Sequence, residues 1–209
     1  MLRLFSVFSV VEPFHASAFN VIGVQREGHM PIDIRVFRQT VSQFVTGVTV
    51  IATEVDGEIR AMTANAFTSL SLDPPLVLFC ASKTSKTGQL VHAAEGFSVN
   101  ILRQDQQALS TYFAGAWNQP SRPPFHFVPW DGGPRLEGCA AALGCAMHAI
   151  VEGGDHWIVV GRVLALHQGI EPRHPLVFFS GRYGSLATAS GGLAPDLQAG
   201  SGPILSEHW

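Results

Sequence analysis

Several familiar devices are missing from this 209-residue chain. No G-x-G-x-x-G opens a helix after a strand, so a nucleotide bound here would not be held through a Rossmann fingerprint. There is no nucleophile elbow, no metalloprotease helix motif and no C-x-x-C pair. No apolar segment approaches the ~20 residues that a membrane-crossing helix needs. Charge is scarce: 13 Lys+Arg face 16 Asp+Glu, 14% of the chain, for a net charge of −3. That balance argues against a nucleic-acid partner. Cysteines number only 3, an odd count that makes a poor disulfide framework and points to a reducing cytoplasm.

What is present is apolar residue. The hydrophobic fraction is 46%, enough for a core, and so uncharged a surface suggests cover by a partner, most simply a second copy. The length suits one domain with extensions. Residues 1–30 read as a leader, either unstructured or the product of a start placed too early, with Met30 as the true start. Residues 188–209, rich in Gly, Ala, Ser and Pro, read as a flexible tail. The domain is expected over 31–187.

Within it, "PIDIRVFRQTVSQFVTG" sets Ile34, Phe37, Val41, Phe44 and Val45 on one helical face, with Asp33 as N-cap and Gly47 as the stop. Two β-rich runs flank Asp56-Gly57, a two-residue hairpin signal. "PPLVLFCAS" and "FSVNIL" read as strands, and "KTSKTGQLVHAAEG" as a polar loop running into a weak helix. "DQQALSTYFAG" predicts a short helix capped by Asp105, with Leu109, Tyr112 and Phe113 on one side. A proline- and aromatic-rich loop spans Trp117 to Gly133, of the kind that is functional or lies against a partner. Alternation then places Leu143, Cys145, Met147, Ala149 and Val151 on one strand face, "EGGDH" turns the chain, and "WIVVGRVLAL" returns. "PLVFFSGRYG" is one more strand. The fold class is mainly β with a few helices, a closed or partly closed antiparallel barrel.

Three segments carry candidate chemistry. Small residues at Thr63-Ala64-Asn65, with Thr68 and Ser69 beyond, allow a flat heterocycle close to the backbone and offer donors along its edge. A strand end that satisfies itself through Asx and Ser/Thr turns explains them equally well. Ser82, Lys83, Thr84 and Ser85 join hydroxyls to positive charge where a helix would start, a phosphate cradle or simply a solvated loop. Gly154-Asp155-His156 is ordinary turn chemistry that could also present an imidazole to an anionic or amide group. Cys139, Cys145 and His148 lack zinc-site spacing and read as core residues and a neighbour.

The order of "FVTGVTVIAT", "MTANAFTSLSLDPPLVLFCASKTSKT", "FSVNIL", "GGDHWIVVGRV" and "PLVFFSGRYG" resembles the flavin reductase-like family, from about Phe37 to Leu186. The family comprises reductase components of two-component flavin-dependent monooxygenases. The resemblance implies an FMN-binding split β-barrel of Greek-key-like antiparallel strands, a homodimer, and reduction of FMN or FAD by NADH or NADPH for a partner monooxygenase. It implies that Thr63, Ala64, Asn65, Thr68 and Ser69 meet the flavin ring and that Ser82, Lys83, Thr84 and Ser85 hold its phosphate. His156, Arg182 and Tyr183 would face NAD(P)H. No protein nucleophile or metal is required, because hydride passes between the cofactors. The alternative is a non-catalytic flavin- or haem-binding split-barrel carrier or sensor. The bulky 117–133 loop departs from the family pattern.

Overall fold

A computed structural model describes residues 31–170 and 174–186; the expected leader 1–30 and tail 188–209 lie outside them. The helix α1, Ile34–Val41, is capped by Asp33, whose carboxylate accepts from the Arg35 N–H at 2.7 Å. It ends well before Gly47. The Ser42 hydroxyl donates to the Gln39 carbonyl at 2.8 Å, and only turn bonds continue beyond it. Strands follow: β1 Thr46–Gly47, β2 Thr49–Val55, β3 Glu58–Ala64, β4 Phe67–Leu72, β5 Pro75–Ser82 and β6 Gly96–Ile101. Asp56 and Gly57, at φ 53° and 77°, make the expected tight hairpin between β2 and β3.

The stretch after β5 forms no helix, contrary to expectation. Ser85 supplies the reason: its hydroxyl donates to the Ser82 carbonyl at 2.8 Å and accepts from the Gly88 N–H at 2.9 Å, substituting side-chain bonds for helical ones. Helix α2, Gln107–Phe113, follows a 3-10 turn at Gln104–Gln106. Asp105 sits inside that turn and pairs with Arg103, so it does not cap α2. Leu109 is buried beneath α2 as expected.

The ribbon β7 Phe127–Val128 and β8 Arg135–Leu136 organises the long loop. Phe125 packs against Phe113 at 4.9 Å and Tyr112 at 5.5 Å, and with Phe127 it borders the chain's own second core. The long hairpin β9 Ala141–Gly153 and β10 His156–Gln168 comes next, then β11 Val177–Phe179 and β12 Arg182–Gly184. The last two replace the single strand expected at "PLVFFSGRYG": Ser180 and Gly181, at φ 47° and 76°, turn the chain there.

Seven antiparallel strands form the main sheet in the order β3-β2-β6-β9-β10-β5-β4, and β1-β11-β12 form a second. Inside the curled main sheet lie Ile51, Phe79, Phe97, Val99, Cys145 and Val159. Phe79 and Phe97 meet edge to face at 4.9 Å. A second cluster under α2 and β11–β12 holds Val50, Leu102, Leu109, Leu136 and Leu176. The expected β9 face holds only to Met147. Val160 pairs with Ala149 and Gly161 with Met147, leaving His148 as an extra residue. This bulge moves Ile150 onto the core, while Val151 is 51% exposed.

Candidate functional site

The polar segments converge at one end of the main sheet. Strand β5 finishes at Ser82 directly opposite His156, the first residue of β10. The Lys83 N–H donates to the Asp155 carbonyl at 3.0 Å, tying the two loops together. On the other side of β5, the Cys80 N–H donates to the Ala66 carbonyl at 3.0 Å. The Ala64-Asn65-Ala66 connection therefore runs beside the last residues of β5. Asn65, Ser82–Ser85 and His156 come from three distant parts of the chain and share this end.

Their side chains differ in what they leave free. Asn65 is exposed and has no side-chain hydrogen bond among the described residues. Ala64, buried, and Ala66, exposed, flank it with the smallest side chains that keep ordinary strand geometry. Thr68 and Ser69 lie on the edge strand β4, both exposed, paired with Leu78 and Val77. At ~3.3 Å per residue they stand roughly 13–17 Å along the strand from Ser82. The Ser82 and Thr84 hydroxyls are 3.0 Å apart, and Ser85 is committed to Ser82 and Gly88. Lys83 is paired with Glu152, and its ammonium lies 4.7 Å from the centre of the Trp157 ring. That pairing holds the Glu152 carboxyl below its ordinary range. The half-buried His156 bonds through Nδ1 to Asp155 Oδ1 at 2.8 Å, which holds the Asp155 carboxyl below its range.

Thr63 and Tyr183 are occupied elsewhere. The Thr63 hydroxyl donates to the Ser110 carbonyl at 2.7 Å, and the buried Ser110 hydroxyl is 2.9 Å from the Tyr183 hydroxyl. The Tyr183 ring packs 5.3 Å from Phe178 in the second core. Arg182, beside it, is exposed on the small sheet. Thus the β11–β12 hairpin is fastened to α2 and β3, and it is not drawn to His156 by any hydrogen bond among the described residues. Cys145 is buried while His148 is exposed on the bulge, so the two do not converge.

A cavity of about 730 Å³ opens next to Asn65 and Ala66, lined also by Phe37, Phe44, Phe67 and Phe178. Ser82–Ser85 and His156 do not line it. It is largely apolar and wide enough for a flat aromatic system. The buried Thr46 hydroxyl beside it lacks a hydrogen-bond partner among the described residues. Reasoning from sequence missed this lining, although the apolar face of α1 marked it, and it missed Glu152 and Trp157 altogether.

A family model for the flavin reductase like domain matches residues 41–187. The chain belongs to the flavin reductase-like family. It is 39% identical over 158 residues to the reductase subunit HsaB of a flavin-dependent monooxygenase from Rhodococcus jostii (strain RHA1), covering 73% of this chain and 77% of that one. The structure of the flavin reductase PheA2 in its native state aligns with a TM-score of 0.70 at 39% identity, covering 75% of this chain and 100% of that chain. The NADH:FAD oxidoreductase SgcE6 of Streptomyces globisporus, solved in complex with NAD and FAD fragments, aligns at 0.67 and 34% identity, covering 78% of this chain and 99% of its own. The observed architecture is the split β-barrel expected from the sequence. Among the described residues, no helix is long and apolar enough to cross a membrane.

Proposed function

We propose that this protein is an NADH-dependent flavin reductase that supplies reduced flavin to a separate monooxygenase. The observation that carries the reading is the meeting of the Asn65 connection, the Ser82–Ser85 loop and His156 at one end of the sheet. It is supported by relatives described as the reductase subunit of a flavin-dependent monooxygenase and as an NADH:FAD oxidoreductase. Either FMN or FAD suits the residues present, and 31–187 is the unit we assign to the activity.

Bound flavin and NADH supply the hydride-transfer chemistry themselves, and the protein binds and orients. Ala64 and Ala66 let the backbone approach a flat ring, and the Asn65 amide, without a partner among the described residues, offers both a donor and an acceptor along its edge. Thr68 and Ser69 extend that polar edge down β4. Thr63 fixes the end of β3 by its bond to Ser110 and contributes to the ring site through backbone alone. The Ser82 and Thr84 hydroxyls and Lys83 would hold the flavin phosphate, and Ser85 shapes their loop through its bonds to Ser82 and Gly88. Asp155 accepts from His156 Nδ1 and leaves Nε2 as the ring nitrogen that would meet the nicotinamide nucleotide. Arg182 closes the site from the small sheet, with Tyr183 as its anchor.

The active form is a homodimer. Helix α1 buries none of its residues, and Phe37 and Phe44 are 53% and 76% exposed beside the cavity. An apolar patch of this kind, adjoining an apolar groove, is the surface a second copy would cover. We place the protein in the cytoplasm, where its three free thiols would stay reduced. Purified protein should oxidise NADH when free FMN or FAD is added. Absence of flavin-dependent NADH oxidation with either flavin would refute the assignment.

A further inference from the structure

Lys83 occupies the centre of the Ser82–Ser85 loop, yet its charge is not spent there. Trp157 lies between Ala81 on β5 and Glu152 on β9 in the strand register, so these three residues share a face. Lys83, two residues beyond Ala81, extends over the same face. Its ammonium lies over the Trp157 ring, 4.7 Å from the ring centre, and pairs with Glu152. His92 braces the ring edge-on at 4.7 Å. The Lys83 side chain is 26% exposed and that of Glu152 is 72% exposed. The ammonium is thus docked on an aromatic platform against a solvated carboxylate, and Asp155 adds a second negative charge at the same end.

We propose that Glu152 is an internal competitor for the flavin phosphate and sets how loosely phosphorylated flavin is held. A phosphate at Ser82–Ser85 and the Glu152 carboxylate both require the one Lys83 ammonium. Binding swings Lys83 off Glu152, and release restores the pair. Every phosphorylated flavin therefore binds against the strength of an existing ion pair. Such a device suits a flavin that must leave in its reduced form. Lys86, exposed next to Ser85, has no ion pair among the described residues and is not subject to this competition.

The inference rests on the phosphate site proposed above, and binding of riboflavin, FMN and FAD without nicotinamide separates the two. Dissociation constants by flavin-fluorescence quenching should show Glu152→Gln binding FMN and FAD about two- to fivefold more tightly, the scale of an exposed ion pair. Riboflavin, which lacks the phosphate, should be unaffected. Lys83→Gln should weaken FMN and FAD, and Glu152→Gln added to it should then have no effect. If Lys83→Gln weakens FMN while Glu152→Gln leaves it unaltered, the competition is refuted and the phosphate site stands. A tightening that persists without Lys83, or that riboflavin shares, also overturns the competition. If Lys83→Gln leaves FMN affinity unaltered, the phosphate assignment fails and the competition with it.

Discussion

Replacing Phe44 by Ala tests the dimer where it should be most sensitive. The side chain is 76% exposed and lines the cavity beside Asn65. Full burial of a phenylalanine is worth about 1.5–3 kcal/mol, so the exposed three-quarters carries roughly 1–2 kcal/mol if a partner covers it. In a two-fold interface the substitution occurs twice, giving about 2–4 kcal/mol. At about 1.4 kcal/mol per tenfold, the dimer should loosen by roughly 30- to 700-fold. Because Phe44 belongs to neither core cluster, the change removes nothing from the protomer's own core. Sedimentation velocity from nanomolar to tens of micromolar protein should show the dimer dissociating at far higher concentration in the variant, with an unaltered far-UV spectrum. Specific activity should fall on dilution in parallel, since α1 walls the cavity. A wild-type protein that stays monomeric at the highest concentration, or a variant with an unaltered dissociation constant, refutes the reasoning.

Three further outcomes are expected. His156→Ala should lower kcat/KM for NADH by about ten- to a hundredfold, the scale of a hydrogen bond to a charged group, with little loss of flavin affinity; equal loss in both would move His156 to the flavin. Asn100 is fully buried and joins β2 to β8, donating to the Val50 carbonyl at 3.0 Å and accepting from the Leu136 N–H at 2.8 Å. Asn100→Ala should cost about 2–4 kcal/mol, seen as a lower urea midpoint at unaltered slope, and an unmoved midpoint would refute that role. Burial pushes the Cys145 thiol from 9.0 up to about 12. The unfolded chain then ionises first as pH rises, so stability should fall across that window, and an equally steep fall in Cys145→Ala would exclude this thiol as a cause.

The elements legible in the sequence were those fixed by neighbours in the chain. Asp56-Gly57 encodes its turn in two residues, and the Asp33 cap acts on Arg35 next door. The strands β2, β5 and β6 followed from β-rich runs bounded by turn residues. The misjudged helix ends have a common physical origin, competition from local bonds that a hydrophobic pattern does not register. The hydroxyls of Ser42 and Ser85 capture backbone groups and end or prevent a helix. The bulge at His148 is one inserted residue, invisible to a period-2 pattern that continues on both sides of it.

The candidate site shows the same division at longer range. Thr63 and Asn65 stand two residues apart in a stretch that looks uniformly polar. The fold gives the Thr63 hydroxyl to Ser110, 47 residues away, and leaves the Asn65 amide without a partner among the described residues. Lys83 was recognisable as a cation inside a hydroxyl-rich loop. Nothing near it in sequence indicated that a carboxylate 69 residues later would hold that charge. Residue type and spacing can therefore nominate the groups of a binding site, but the availability of each group depends on cross-strand register. Here the register of β5 with β10, and of β10 with β9, carries Glu152 to Lys83 across Trp157. A one-residue slip in either pairing would send Glu152 to the other face and leave the lysine free for an anion.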